Sequence, residues 1–237
     1  MIPLKIEKLT NQIDTFPTLP SVVNRVLKIT ADPDSTSTDL NEVISPDIAL
    51  TTCILKVANS AFYGLSSKVG SLQQAVTVLG FTEIRNLVIS KAIFDSFKNF
   101  DNSMQLDIQR FWEHSFLCGL SSKLISSRFS GDNNDFFVAG LLHDLGKLII
   151  SITLPQDSLN IIQKVGPVKF RTNHTENEIL GITHEAIGML VLKRWMFPEN
   201  LIISVGYHHR PNEAKTKRIF PSIVYTADLL CHLEMPE

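Results

Sequence analysis

Residues 140–150 read GLLHDLGKLII. Leu141, Leu142, Leu145, Leu148 and Ile149 recur at helical spacing, which predicts an amphipathic helix with a wide apolar face. Such a helix has to be buried, so the chain must build a helical core around it. His143 and Asp144 sit in the middle of this stretch and Lys147 follows one turn later. An imidazole, a carboxylate and an ammonium buried there either bind something or form a polar plug inside the core.

The 237 residues suffice for one large domain or two small ones, and for a sizeable core. Lys and Arg number 22 against 24 Asp and Glu, a net charge of −2, which argues against an electrostatic nucleic-acid footprint. Cys53, Cys118 and Cys231 are scattered and odd in number, without a CxxC pair, and read as free thiols in a reducing cytoplasm. The start, MIPLKIEKLTNQ, has no apolar h-region, and His143, Asp144 and Lys147 interrupt the most apolar stretch. The expectation is therefore no signal peptide and no membrane span.

Helix punctuation recurs along the chain. In SPDIALTTCILKVANSAFYG, Ser45 reads as N-cap, Pro46 as the first helical position and Asp47 as a first-turn acid. SLQQAVTVLG opens on the capping box Ser71-x-x-Gln74 and closes on Gly80, and Thr82 can cap the next helix. Further helices are expected at about 21–31, 38–45, 106–128, 134–152, 155–165, 183–195, 198–209 and 221–232. No alternating strand or internal repeat emerges. The polar stretch Lys98–Asp107 reads as a boundary and Gly166–Glu178 as a second loop. The fold class is all-α, a helical bundle in two lobes, residues 1–100 and 101–237.

Any one of the seven histidines is more simply a satisfied core or surface residue. Their placement matters more. His114 lies among Phe111, Trp112, Phe116 and Leu117; His184 opens a helix after Thr183; His208 and His209 end one before Pro211; Asp228 sits in an apolar late helix. His174 and His232 fall outside this pattern. Five imidazoles and two carboxylates facing one bundle interior would be costly to bury alone, and a metal centre resolves that cost. Neutral imidazole and carboxylate suit Fe, Mn, Zn or Ni, with Asp144 the natural bridge if two ions share the site. On one helix His143 and Asp144 would diverge by about 100°, so an ion would sit over the ridge between them.

This ordered series resembles the HD phosphohydrolase superfamily, with its histidine, His-Asp pair and distant aspartate. HDLGK, and His184 with Gly188, resemble the HD-GYP branch that hydrolyses cyclic di-GMP, but Arg210 stands where that branch has Glu and its Gly-Tyr-Pro motif is missing. The chain is more similar to the HDOD family, the HD-related output domain of bacterial signalling proteins. TLPSVVNRVLKIT, ISPDIALTTCILKVANSAFYG and SLQQAVTVLGFTEIRNLVIS resemble that domain's N-terminal half, and the likeness covers about residues 12–232 as one HDOD domain with an HD-like C-terminal lobe.

The resemblance implies a regulatory output module, cytoplasmic and non-catalytic, that acts through unidentified signalling proteins and keeps an HD-type site for one or two ions. The alternative it implies is a metal-dependent phosphohydrolase for a nucleotide or cyclic dinucleotide. Asp144 would then bridge two ions, one held by His114, His143 and Asp228, the other by His184, His208 and His209. The ions would supply an activated water and polarise the phosphoryl oxygens, and Lys147 would steady phosphate charge. A third reading is a structural bundle whose polar residues bond to one another.

Overall fold

The computed structural model describes residues 20–98, 106–129, 135–165 and 172–234, and every regular element among them is helical. They fall into two compact units, residues 20–98 and residues from Leu106 onward. Most of the stretch expected as a boundary, residues 99–105, lies outside the described residues.

In the first unit, α1 (Ser21–Ala31), α2 (Ser37–Ile44) and α3 (Ile48–Ala58) each pack against α4 (Leu72–Phe97). Val23, Val26, Leu40, Ile54, Ala75, Ile84, Ile89 and Ile93 form its core, all fully buried. Thr36 and Asp39 close a reciprocal capping box on α2. The cap of α3 is Asp47, which accepts from the Leu50 amide at 2.9 Å, and not Ser45. Ser45 is spent on ending α2, where its amide and hydroxyl both donate to the Asn41 carbonyl. Ser71 caps α4 as expected, but Gln74 reaches back to the Gly70 amide at 2.8 Å instead of to Ser71. Gly80, at φ 78° and ψ 164°, breaks α4 into the two helices the sequence predicts; only glycine adopts that conformation readily.

The second unit holds α5 (Ile108–Ser126), α6 (Asp135–Leu142), α7 (Leu145–Thr153), α8 (Pro155–Val165), α9 (Asn173–Leu180), α10 (His184–Arg194), α11 (Glu199–Tyr207) and α12 (Ile219–Glu234). Helix α6 packs on α5, α11 and α12, while α7 packs on α8 and α10. Phe136 of α6 stacks on Phe220 of α12 at 4.3 Å between ring centroids, with Ile223 beside them.

Two expectations need correction. The predicted helix 134–152 is two helices, α6 and α7, with His143 and Asp144 forming the turn between them. Asp144 lies in the bridge region, at φ −99° and ψ 8°, which interrupts the helical ladder. The second expected loop overlaps most of α9, which runs to Leu180, while residues 166–171 are outside the described set. Residues Asp135–Thr153 are long and apolar enough to span a membrane by composition, but 89% of that window is buried inside the protein. It is core, as the all-round apolar character of α6 requires.

Candidate metal centre

Each expected ligand is delivered to one place, mostly by a helix end. His114 comes from within α5 and Asp228 from within α12; His143 and Asp144 follow the last residue of α6; His184 is the first residue of α10; His208 and His209 follow α11. His143, His184 and His208 have no solvent exposure, and Asp144 and Asp228 are nearly as buried.

Helix ends also fix the ring orientations. His143 Nδ1–H donates to the Gly140 carbonyl at 2.7 Å and His208 Nδ1–H to the Val205 carbonyl at 2.8 Å. Both carbonyls belong to last turns, where no intrahelical amide remains to satisfy them. His184 Nδ1–H donates to the Glu176 carboxylate at 2.7 Å. That carboxylate also accepts the His184 amide at 2.7 Å and the Thr172 hydroxyl at 2.6 Å, so Glu176 caps α10 and aims its first side chain together. Thr183, expected to cap this helix, holds the N-cap position without a side-chain cap bond.

With the three Nδ1 atoms donating outward, the Nε2 atoms of His143, His184 and His208 turn inward. His184 and His208 Nε2 stand 3.3 Å apart, and those of His114 and His143 3.4 Å apart. Around them, Asp144 Oδ1 is 3.3 Å from His184 Nε2, Asp144 Oδ2 is 3.4 Å from His143 Nε2, and Asp228 Oδ1 is 3.0 Å from His114 Nε2. Among the described residues, Asp144 Oδ1 and Asp228 Oδ1 are buried oxygens that no donor meets with good hydrogen-bond geometry. Facing lone pairs at these distances repel unless a proton or a metal cation lies between them.

The charges agree with this. Burial disfavours every charged imidazole here, and for His208 and His209 it prevails, holding both pKa values below the ordinary histidine range. For His143, burial is outweighed by the Asp144 carboxylate, which pushes its pKa up to about 10. Burial of Asp144 is in turn outweighed by His143 and Lys147, and its carboxyl titrates well below the usual range. The centre is thus a set of carboxylates and imidazoles that draws in positive charge wherever it can find it.

The ligand atoms of Asp144, His184, His208 and His209 lie within 4.8 Å of one another, as do those of His114, His143 and Asp144, and of His114, Asp228 and His232. Neutral imidazoles, carboxylate oxygens and outward Nδ1 donors form the donor set of a first-row transition-metal site with its outer shell in place, so the residues fit such an ion. The turn at 143–144 removes the 100° divergence expected on one continuous helix. Lys147, expected near the site, places Nζ 2.7 Å from Asp144 Oδ2.

Three contributors escape the sequence reading. Glu176 sits in a segment read as loop. His232 lies one turn beyond Asp228 and places Nδ1 3.1 Å from its Oδ1, an i,i+4 spacing that was visible. Glu185 is buried beside His184, with Arg210 Nε at 3.8 Å. His174, given no role, is exposed. Because Glu176 orients His184, Glu176→Ala is expected to weaken metal binding about 10–100-fold in competition with a chromophoric chelator. The exposed Glu178→Ala serves as control, and equal affinity for both variants would remove Glu176 from the outer shell.

The HDOD domain model matches residues 16–211 of this chain. An uncharacterized protein of Treponema pallidum (strain Nichols) is 25% identical over 204 residues, covering 85% of this chain and 39% of that protein. The chain thus spans about two fifths of that curated relative's length. Among solved structures, an HDOD domain protein of unknown function from Geobacter sulfurreducens aligns with a TM-score of 0.82 and 27% identity, over 98% of this chain and 79% of that one. A candidate phosphohydrolase from Shewanella amazonensis SB2B aligns with a TM-score of 0.80 and 26% identity, over 97% of this chain and 82% of that one.

Proposed function

This chain belongs to the HDOD domain family, and on that premise we propose that it is a non-catalytic signalling output module whose buried centre holds a transition-metal ion as a structural element. The observation that carries the reading is the burial of a set of imidazoles and carboxylates. Catalytic metal sites keep a coordination position open to water and substrate, whereas structural sites are closed by protein donors. Here His143, His184 and His208 are wholly inaccessible, and among the described residues the most exposed edge of the site is formed by His114, His232 and Lys147, with side chains 15%, 21% and 16% exposed. Arg210 lines the approach to Glu185, where a phosphohydrolase of the HD-GYP kind would place a carboxylate. The module acts in the cytoplasm, in keeping with its free cysteines, by docking an unidentified signalling protein.

The second reading, a phosphohydrolase for a nucleotide or cyclic dinucleotide, draws support from the candidate phosphohydrolase among its structural relatives. In that reading Asp144 and the imidazoles would hold the ion, which would supply Lewis-acid activation of water and phosphoryl oxygens, and Lys147 would neutralise phosphate charge. Assays of protein loaded with Mn²⁺ or Fe²⁺ separate the two. No turnover is expected of cyclic di-GMP, a nucleoside triphosphate or bis(p-nitrophenyl) phosphate. Turnover that disappears in Asp144→Ala would overturn the module reading in favour of the enzyme.

A further inference from the structure

We infer that the outer face of α5 joins two copies of this chain, with the two helices antiparallel. Phe116, Leu117, Leu120 and Leu124 of α5 are between 39% and 70% exposed. Single exposed leucines are ordinary on a protein surface, but these four residues form one stripe. Leu117, Leu120 and Leu124 follow the alternating three- and four-residue spacing of a helix–helix seam, and Phe116 flanks it. The inner face of the same helix is already used: Ser115, Cys118, Gly119 and Ser122 are buried, and α5 packs on α6 and α12. Phe116 rests edge-on against Phe137 of α6, with ring centroids 5.9 Å apart. The stripe is thus mounted on a packed core before any partner arrives, which lowers the ordering cost of association.

The charges around the stripe select its occupant. Glu113 is exposed just before it and Arg128 just after it. Arg110, nearer the helix start, lies 3.9 Å from Asp107 and is compensated locally. The Arg128 amide donates to the Ile125 carbonyl at 3.1 Å, so the chain still coils where Arg128 leaves the helix. At about 1.5 Å per residue, Glu113 stands about 10 Å from Leu120 on one side and Arg128 about 12 Å on the other. A two-fold axis at Leu120 therefore brings each Glu113 level with Arg128 of the other copy, within side-chain reach. It also sets Phe116 and Leu117 against Leu124, and Leu120 against itself. A parallel pair would instead oppose Glu113 to Glu113 and Arg128 to Arg128. The face is complementary to itself in the antiparallel orientation, the condition an isologous dimer imposes and a foreign helix does not. A seam of one helix from each copy falls at the small end of specific interfaces, about 1,000–1,200 Å², so the dimer should be reversible with a Kd on the order of micromolar.

The test is oligomeric state, measured on the full chain by sedimentation velocity and light scattering over a dilution series. At about 100 μM wild type should show twice the chain mass of 26.5 kDa and should dissociate on dilution toward about 1 μM. Leu120→Glu, which sets two carboxylates against each other at the axis, should be monomeric throughout while keeping a cooperative melt. Glu113→Arg and Arg128→Glu should each weaken the dimer about tenfold, because each puts like charges at both ends of the seam. The double reversal should restore wild-type affinity, a result that a folding defect would not give. A wild type that stays monomeric, including one that binds lipid vesicles through this face, would overturn the inference. So would a dimer indifferent to Leu120→Glu, or one in which the double reversal associates no better than the single ones.

Discussion

Asp144→Ala should empty the centre. Wild-type protein, purified without added metal or chelator, is expected to carry Fe, Mn, Zn or Ni, and the variant to carry none after loading with the same ions. Asp144 is singled out because both ligand sets facing the turn at 143–144 include it. Its loss also leaves the inward Nε2 atoms of His184 and His208, 3.3 Å apart, without an anionic partner. An ion that binds only the folded chain stabilises it by mass action, about 2.7 kcal/mol at a concentration about a hundredfold above its Kd. For a chain of this size that corresponds to a melting shift of about 6–10 °C. EDTA should therefore lower the melting temperature of wild type by roughly that amount and leave Asp144→Ala unmoved. Comparing each protein with and without chelator matters, because removing a buried carboxylate destabilises the fold in any case. A wild type that is metal-free, cannot be loaded and melts identically with EDTA would sink the metal centre. The imidazoles would then be the polar plug of the third reading.

The candidate ligands stand out in the sequence for one reason, and their geometry is hidden for another. Histidines and aspartates in otherwise apolar helices stand out because burying them needs a stated partner, and that argument needs no coordinates. The helix terminations were harder. Ser45 and Asp47 are both good caps two residues apart, and the choice fell to Asp47 because Ser45 was already bonded to Asn41. Local chemistry offers both answers, and only the point at which α2 ends chooses between them. The turn at His143–Asp144 was hidden by the surrounding leucines, whose helical spacing continues through it. Glu176 was invisible because its partner, His184, lies eight residues away across a helix–helix corner that begins at Gly181. Lys147 could be placed near the site by its spacing from His143, but not on Asp144 Oδ2, because which oxygen it takes depends on where the turn points the carboxylate.

Gly146→Ala is expected to destabilise the protein, against the ordinary expectation for its position. Gly146 lies in the first turn of α7, where replacing glycine by alanine normally stabilises a helix by about 0.5–1 kcal/mol. Here a methyl group would overlap the backbone carbonyl of His184, the first residue of α10, and would come too close to its carbonyl carbon, 2.7 Å away. The obstruction is backbone, so no rotamer change relieves it. Nor is there slack beyond it: the Cβ position of Gly188, one turn further along α10, lies 3.6 Å from the Gly146 amide and 2.6 Å from Val205 Cγ1. The two glycines mark the crossing of α7 and α10, which must separate to admit a side chain. Overpacking of this kind costs about 1–3 kcal/mol, and more where backbone must move. Separation also carries His184 away from Asp144 Oδ1, now 3.3 Å distant, so metal content should fall along with stability. Gly70→Ala, whose new methyl would meet only the Gln74 side chain at 3.9 Å, is the control and should stay within about 0.5 kcal/mol of wild type. Chemical denaturation and metal analysis on the two variants give the sign directly. A Gly146→Ala protein as stable and as metal-rich as wild type would mean that α7 and α10 are further apart than described, and that the glycine of HDLGK serves something other than their close approach.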